Sequence, residues 1–269
     1  YSVTGGVPKY IELFSECDDI YSAIRQNVLN TSGYLYDEPH FLLQQEVSEI
    51  GSYFSLIKAI AAGNSKLSTI ATVLETKTTN LTKYLKTLID LDIIEREVPV
   101  TEDNPEKSKR GLYRIRDNYI KFWFAFVYPN MSFLESGNTE IVMSKIRKGF
   151  VSNQIAFVYE DICREKMWRL SAEGVWDFHF SKIGRYWDSK VEIDIAALDP
   201  DGKNLILGEC KYWTEPVGVN ILKDLERKAE SVTWESGRRK TNYVLFSISG
   251  FTPELESYVA TRPDVKLFR

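Results

Sequence analysis

Asp194, Glu209 and Lys211 are the residues whose types and spacing point most directly to chemistry. They lie in residues 186–213, YWDSKVEIDIAALDPDGKNLILGECKYW, where Asp199-Pro200-Asp201-Gly202 offers a preset negative φ and then a permissive backbone, a tight turn between two apolar runs. With residues 200–203 as the loop and Asp199 opposite Asn204, Leu198 falls opposite Leu205, Asp194 opposite Glu209 and Glu192 opposite Lys211. The two-residue strand period then puts Glu192, Asp194, Glu209 and Lys211 on one face, and Val191, Ile193, Ile195, Ile206, Cys210 and Tyr212 on the other. Opposed carboxylates on neighbouring strands repel. A hard divalent cation, Mg²⁺ or Mn²⁺, held by Asp194 and Glu209 would remove the repulsion, and Lys211 would point at whatever the metal binds. A solvated strand end is the simpler reading, and E-x-K alone is a weak motif; the facing aspartate, the turn and the hydrophobic flanks favour the metal site.

Strands and helices must position these groups. Residues 175–183 predict a strand, 190–198 and 204–213 the hairpin, 219–234 a helix, 241–249 a buried strand, 253–260 a short helix capped by Thr252, and 265–268 a last strand. Upstream, 141–170 reads as a long helix with a break near Gly149. At 100° per residue Glu160 lies beside Ala156, Phe157, Cys163 and Met167, an apolar face. A glutamate there needs a partner, which an adjacent metal site would provide; snorkelling to solvent is the alternative.

An acid, a spaced acid-x-lysine element and a strand setting resemble the active site of the PD-(D/E)xK nuclease superfamily, with Asp194 as the first acid and Glu209-Cys210-Lys211 as the E-x-K element. Helix, three strands, helix, strand is likewise similar to the αβββαβ core of the restriction-endonuclease-like fold. The resemblance implies a Mg²⁺-dependent DNA endonuclease with catalytic residues Asp194, Glu209, Lys211 and Glu160. In it Asp194 and Glu209 hold the metal, Glu160 completes the shell, and Lys211 orients or helps deprotonate the attacking water and stabilises the phosphorane-like charge. A nuclease fold without turnover, serving as a DNA-binding or protein-docking module, is the alternative.

In the N-terminal half, 53–62, 67–74 and 78–91 read as three helices, followed by a strand at 93–100, a polar excursion at 101–110 and a strand at 111–116, the order of a winged helix. The third helix presents Lys77, Thr78, Thr79, Asn80, Lys83 and Lys86, cations for phosphates beside hydroxyl and amide groups for base edges. Lys107, Lys109, Arg110, Arg114 and Arg116 would line one arm of the wing, while Glu75, Glu102 and Asp103 would repel phosphate and suit a packing role. The run 117–129, DNYIKFWFAFVYP, is dense in aromatic groups and poor in charge, and reads as core rather than as a base-stacking stripe. An opening glycine-proline turn, an apolar-periodic stretch at 10–28 and a helix at 38–50 make a helical collar. The chain thus reads as mixed α/β in three parts: a helical segment 1–50, a winged helix with aromatic junction 51–130, and a nuclease-like domain 131–269.

Composition bounds the function. Among 269 residues, 43% hydrophobic and 27% charged is globular usage. No run approaches the roughly 18 apolar residues of a membrane span, so no membrane partner is expected. Three widely spaced cysteines make neither a disulfide framework nor a zinc motif, which suits a cytoplasmic location, and two histidines argue against a histidine-built metal centre. The formal charge of −4 excludes a uniformly basic nucleic-acid binder. Residues 51–120, with 11 basic and 9 acidic side chains, are the net-positive segment.

The opening Thr4-Gly5-Gly6-Val7-Pro8-Lys9-Tyr10, the winged unit, the aromatic run and the Glu192-Ile193-Asp194 and Gly208-Glu209-Cys210-Lys211 pair, in that order, resemble the C-terminal half of an archaeal-type family of P-loop ATPases. In that family an ATPase domain precedes the Gly-Gly-x-Pro segment. Here no G-x-x-x-x-G-K-[ST] occurs and the first methionine is Met131. The expectation is part of a longer polypeptide, with ATP bound only by an N-terminal ATPase domain that partners this chain, DNA as the other partner, and room for a homo-oligomer.

Overall fold

Apolar residues recurring every three or four positions build the first of two units, Tyr1–Glu97 with Gly111–Ile155. The structure is a computed structural model and describes residues 1–269. The helices of this unit are α1 (Pro8–Ser15), α2 (Ile20–Ala23, running on as a π-helical turn Ile24–Val28), α3 (Glu38–Glu46), α4 (Ile50–Ala61), α5 (Leu67–Val73), α6 (Thr78–Asp90), α7 (Asn118–Phe122), α8 (Met131–Glu135) and α9 (Thr139–Phe150). In α6, Leu81, Leu85 and Leu88 form the buried face, which leaves Lys83 and Lys86 exposed on the other. After α4, α5 and α6 comes an antiparallel ribbon of β1 (Ile94–Glu97) and β2 (Leu112–Ile115), with Ile94 opposite Ile115. The aromatic run is core: Tyr119, Phe122, Trp123, Phe124 and Phe126 are buried. Asp117 caps its start by accepting the Ile120 N–H at 2.7 Å, and Trp123 Nε1 donates to the Tyr36 carbonyl at 2.6 Å.

The second unit comprises Val98–Arg110 and Ala156–Arg269. In order it contains α10 (Ala156–Ala172), β3 (Lys182–Trp187), β4 (Glu192–Leu198), β5 (Asn204–Lys211), α11 (Val219–Ala229), β6 (Lys240–Ser247), α12 (Pro253–Val259) and β7 (Val265–Phe268). One sheet runs β3-β4-β5-β6-β7, antiparallel through β5 and parallel from β5 onward. This is the mixed α/β succession of helix, three strands, helix and strand that the sequence predicts. On one face α10 packs Cys163, Met167 and Leu170 against Ile195, Ala197, Ile206 and Val244. On the other, α11 packs Leu222 and Leu225 against Ala196, Leu198, Leu205 and Leu207. No helix is long and apolar enough to cross a membrane.

The hairpin turn forms as its residues require. Gly202 takes φ +73°, Asp199 Oδ1 accepts the Asp201 N–H at 2.8 Å, and Asp199 Oδ2 accepts from Asn204 Nδ2 at 2.7 Å. Thr252 caps α12 through its Oγ1, which accepts the Leu255 N–H at 3.2 Å.

Two expectations are corrected and a third is placed more closely. The strand predicted at 175–183 begins only at Lys182. Its apolar residues Trp176 and Phe180 pack with α10 residues instead, the Phe180 ring centroid lying 4.7 Å from that of Trp168. The break expected near Gly149 in the helix predicted at 141–170 falls just beyond it, at a π-helical turn, Val151–Ile155, after which the chain passes from the first unit to the second. The polar excursion is grouped with the second unit, where the Val100 N–H donates to the Arg185 carbonyl at 3.0 Å.

Gly208 sits where β5 is squeezed between β4 and β6. A Cβ there would come within 2.5 Å of Val244 Cγ1, 3.0 Å of the Val244 carbonyl oxygen and 3.1 Å of Ile195 Cβ. Backbone oxygen on one side and a core side chain on the other leave little room to relax, so Gly208→Ala should destabilise the protein by roughly 1–3 kcal/mol. Denaturant unfolding measures this, and an unchanged midpoint would contradict the packing described.

Candidate active site

Asp194 owes its placement to an irregularity in β4. Gly184 lies opposite Ala196 but Tyr186 lies opposite Ile193, so Asp194 and Ile195 together face the single residue Arg185, a β-bulge. The extra residue reverses the alternation beyond it. Ile193 packs with Ala196 and Leu198 on the α11 side, not with Ile195 and Cys210 as an unbroken period predicts. The β4–β5 ladder keeps the predicted register from Leu198 opposite Leu205 to Ile195 opposite Gly208, and ends one pair short of Asp194 and Glu209. There the Asp194 carboxylate takes the place of a backbone acceptor: its Oδ2 receives the Cys210 N–H at 2.9 Å, a donor that a continued ladder would direct to the Ile193 carbonyl. Glu192, expected opposite Lys211, is paired with Arg185 instead.

Lys211 draws the acids together. Its Nζ stands 2.5 Å from Glu209 Oε2 and 3.6 Å from Asp194 Oδ2. The other Glu209 oxygen, Oε1, accepts from Lys228 Nζ of α11 at 2.6 Å. Glu209 is only 4% exposed. From α10, Arg164 Nη1 donates to the Asp194 carbonyl oxygen at 2.9 Å and lies 3.8 Å from Glu160 Oε2, while Arg164 Nη2 pairs with Asp161. The Glu160 side chain, 16% exposed, is drawn into this group rather than snorkelling.

The charges bias one another. Burial first, and then the Asp194 carboxylate, push the Glu160 carboxyl up from 4.5 to about 7, against the opposing pull of Arg185 and Arg164. Burial and Asp194 likewise hold Glu209 above its ordinary value, with Lys211 and Lys228 pulling the other way. For Lys211, burial is the largest single influence and lowers its pKa, but Asp194 and Glu209 outweigh it and the ammonium is held above its usual range.

Glu160, Asp161, Asp194 and Glu209 are thus interleaved with Arg164, Lys211 and Lys228, while Arg185, paired with Glu192, also acts on Glu160. The predicted set Asp194, Glu209, Lys211 and Glu160 is brought to one end of the sheet, where no three acids form one ready ligand group. The donor chemistry still fits a hard ion. A cationic group already lies between Asp194 and Glu209, and Mg²⁺ is commonly held by one or two carboxylates with water and substrate phosphate completing its shell. Lys228, Arg164 and Arg185 were not singled out from sequence. The available signal for Lys228 was a lysine set between Leu225 and Ala229 on the apolar side of a predicted helix.

The predicted DNA-binding residues divide. Lys77, Asn80, Lys83 and Lys86 are exposed along α6 or at its start, with Asn80 donating to Thr76 Oγ1 at 3.2 Å. The five-cation wing arm is not formed as expected. Arg114 pairs with Glu95 and Glu97, and Arg116 with Asp92, because the ribbon sets acids beside them. Arg110 pairs with Glu102 in the second unit, where Lys107 and Lys109 are exposed.

Residues 123–229 match the model of the DUF234 family, archaeal and bacterial proteins of unknown function. An uncharacterized protein of Methanocaldococcus jannaschii is 34% identical over 235 residues, 86% of this chain and 52% of its own length, so the chain spans about half of that curated relative. Among solved structures, a repair endonuclease from Pyrococcus abyssi aligns with TM-score 0.26 and 14% identity over 40% of this chain and 45% of its own. A Vibrio cholerae protein aligns with TM-score 0.29 and 13% identity over 82% and 47%. Superpositions this loose carry no weight for fold or chemistry.

The raised Glu160 carboxyl has a defined stability signature. Its folded value exceeds its unfolded one, so its contribution is intact below pH 4.5 and is lost as pH rises through about 7, by roughly 3 kcal/mol at about 1.36 kcal/mol per unit. Glu160→Gln should flatten that fall. Thermal melts of both proteins between those limits without divalent ions test it, and parallel declines would show that Glu160 is not held neutral by its surroundings.

Proposed function

We propose that the chain is a Mg²⁺- or Mn²⁺-dependent DNA endonuclease of the PD-(D/E)xK type. The observation that carries the reading is the Lys211 ammonium lying between Asp194 and Glu209 at the carboxyl end of β5, where one cation already occupies the space a divalent ion would take. Clefts at the carboxyl ends of strands are also where open α/β sheets receive ligands. Asp194 and Glu209 would hold the ion, which when bound would supply Lewis-acid polarisation and a hydroxide-like nucleophile.

The chain's own residues do the rest. Lys211, released from Glu209, neutralises charge growing on a phosphate oxygen. Lys228 keeps Glu209 oriented, and Arg164 holds the backbone of Asp194. Glu160, poised near 7, takes or gives a proton close to neutral pH. The α4–α6 helices and the β1–β2 ribbon act in this reading as a winged helix whose exposed Lys77, Asn80, Lys83 and Lys86 meet DNA. A P-loop ATPase portion of the same polypeptide would govern cutting, and ATP would act only there.

Incubation with supercoiled, linear and branched DNA, with Mg²⁺ or Mn²⁺ against EDTA, should give metal-dependent cutting that Lys211→Met and Glu209→Gln abolish. No cutting of any substrate would favour a docking module instead. Asp194→Asn keeps an amide oxygen for the Cys210 N–H, so the metal-free fold should persist. The parent, however, should gain about 2.7 kcal/mol at 100-fold Kd of Mn²⁺ and the variant nothing, read from thermal melts. Lys83→Ala and Lys86→Ala should each flatten the salt dependence of duplex binding by roughly 0.9 per lost phosphate contact, and unchanged slopes would leave α6 without a DNA role.

A further inference from the structure

Immediately beyond the acids the surface turns apolar. Trp213, two residues after Lys211, is 47% exposed, and Ile248, at the end of the neighbouring parallel strand, is 49% exposed. The backbone of both segments is anchored. The Ile248 N–H donates to the Lys211 carbonyl at 3.3 Å, and the Ser249 hydroxyl donates to the Trp213 carbonyl. The indole lies with its ring centroid 5.8 Å from Lys211 Nζ, the same ammonium that touches Glu209 and Asp194. A large aromatic surface therefore stands exposed within one side chain of the groups proposed to hold the phosphate.

An exposed indole gains by covering its face with another flat apolar surface. The separation of ring and ammonium is of the order that separates a base from its own phosphate. In a duplex both faces of each base are covered by stacked neighbours, so an indole beside a duplex backbone finds no such surface. An unpaired nucleotide offers one, and every base has a π-face, so the contact is tolerant of sequence.

We propose that Trp213, supported by Ile248, is a stacking platform for an unpaired base next to the scissile phosphate, so that the site takes single-stranded DNA or the unpaired arm of a junction in preference to continuous duplex. This rests on the reading of Asp194, Glu209 and Lys211 as a phosphodiester site.

The test is binding by the full chain in EDTA, so that no strand is cut, followed by fluorescence anisotropy with a labelled oligothymidylate and a labelled duplex of equal length. The parent should prefer the single strand. Trp213→Leu should weaken single-strand binding roughly tenfold and leave duplex binding unchanged, while Trp213→Phe should keep most of the preference. Tryptophan emission should be quenched by the oligothymidylate in the parent and much less in Trp213→Leu. Equal affinity for the two probes, no binding of the single strand, or a Trp213→Leu variant that binds it as the parent does would each overturn the proposal. Because binding is read without metal, its outcome is separate from that of cleavage. A Trp213-dependent preference without cutting sinks the endonuclease reading alone, and cutting without the preference sinks the stacking platform alone.

Discussion

Two carboxylates held side by side out of water repel, by about 4 kcal/mol at 4 Å in an effective dielectric near 20, and the arrangement around Asp194 and Glu209 is organised by that repulsion. Glu209 cannot escape into solvent, being 4% exposed. Lys211 lies between the two acids, Lys228 takes the second oxygen of Glu209, and the Cys210 N–H takes an oxygen of Asp194. What these contacts leave uncompensated surfaces in Glu160, whose carboxyl is driven up to about 7 by burial and by Asp194. A buried group of this kind invites exchange. In the proposed metal site, the lysine that answers the repulsion would give way to the divalent ion.

The fold makes this possible by failing locally to be regular. An unbroken β4 would carry its pairing with β5 past Asp194 and use up the Cys210 N–H in the ladder. The bulge at Asp194 and Ile195 stops that pairing, lets the aspartate side chain stand in for a carbonyl, and opens a gap between the strands at the end where β5 and β6 run parallel. Gly208 is the counterpart on β5. Its missing Cβ lets β4 and β6 close tightly one residue before Glu209, so that the divergence begins at a defined point. Regular packing beneath, from α10 on one face and α11 on the other, fixes the helices that carry Glu160, Arg164 and Lys228.

Much of this was legible in the chain. The Asp-Pro-Asp-Gly turn set the register, and the register holds from Leu198 opposite Leu205 to Ile195 opposite Gly208 because both faces of the hairpin are buried and a one-residue slip would exchange them. The order of helices and strands followed from period and caps, as with Thr252 before α12. The bulge is not legible, since it depends on pairing with β3, and the apolar Trp176 and Phe180 make β3 read as starting earlier than it does. For the same reason the unbroken register sets Glu192 beside Lys211, whereas Arg185 claims it. Cations contributed by distant elements, Arg164 and Lys228, come together only in three dimensions. The ribbon's arginines looked free in sequence because their partners Glu95, Glu97 and Asp92 lie on the other strand or just before it.

In the proposed site a divalent ion and the Lys211 ammonium would compete for one place between Asp194 and Glu209. Anomalous diffraction from crystals of the protein grown with Mn²⁺ reads that competition. The expected result is a manganese peak bonded to oxygens of both Asp194 and Glu209, with the Lys211 ammonium moved off Glu209. Manganese bound elsewhere, with Lys211 still resting between the two carboxylates, would contradict it.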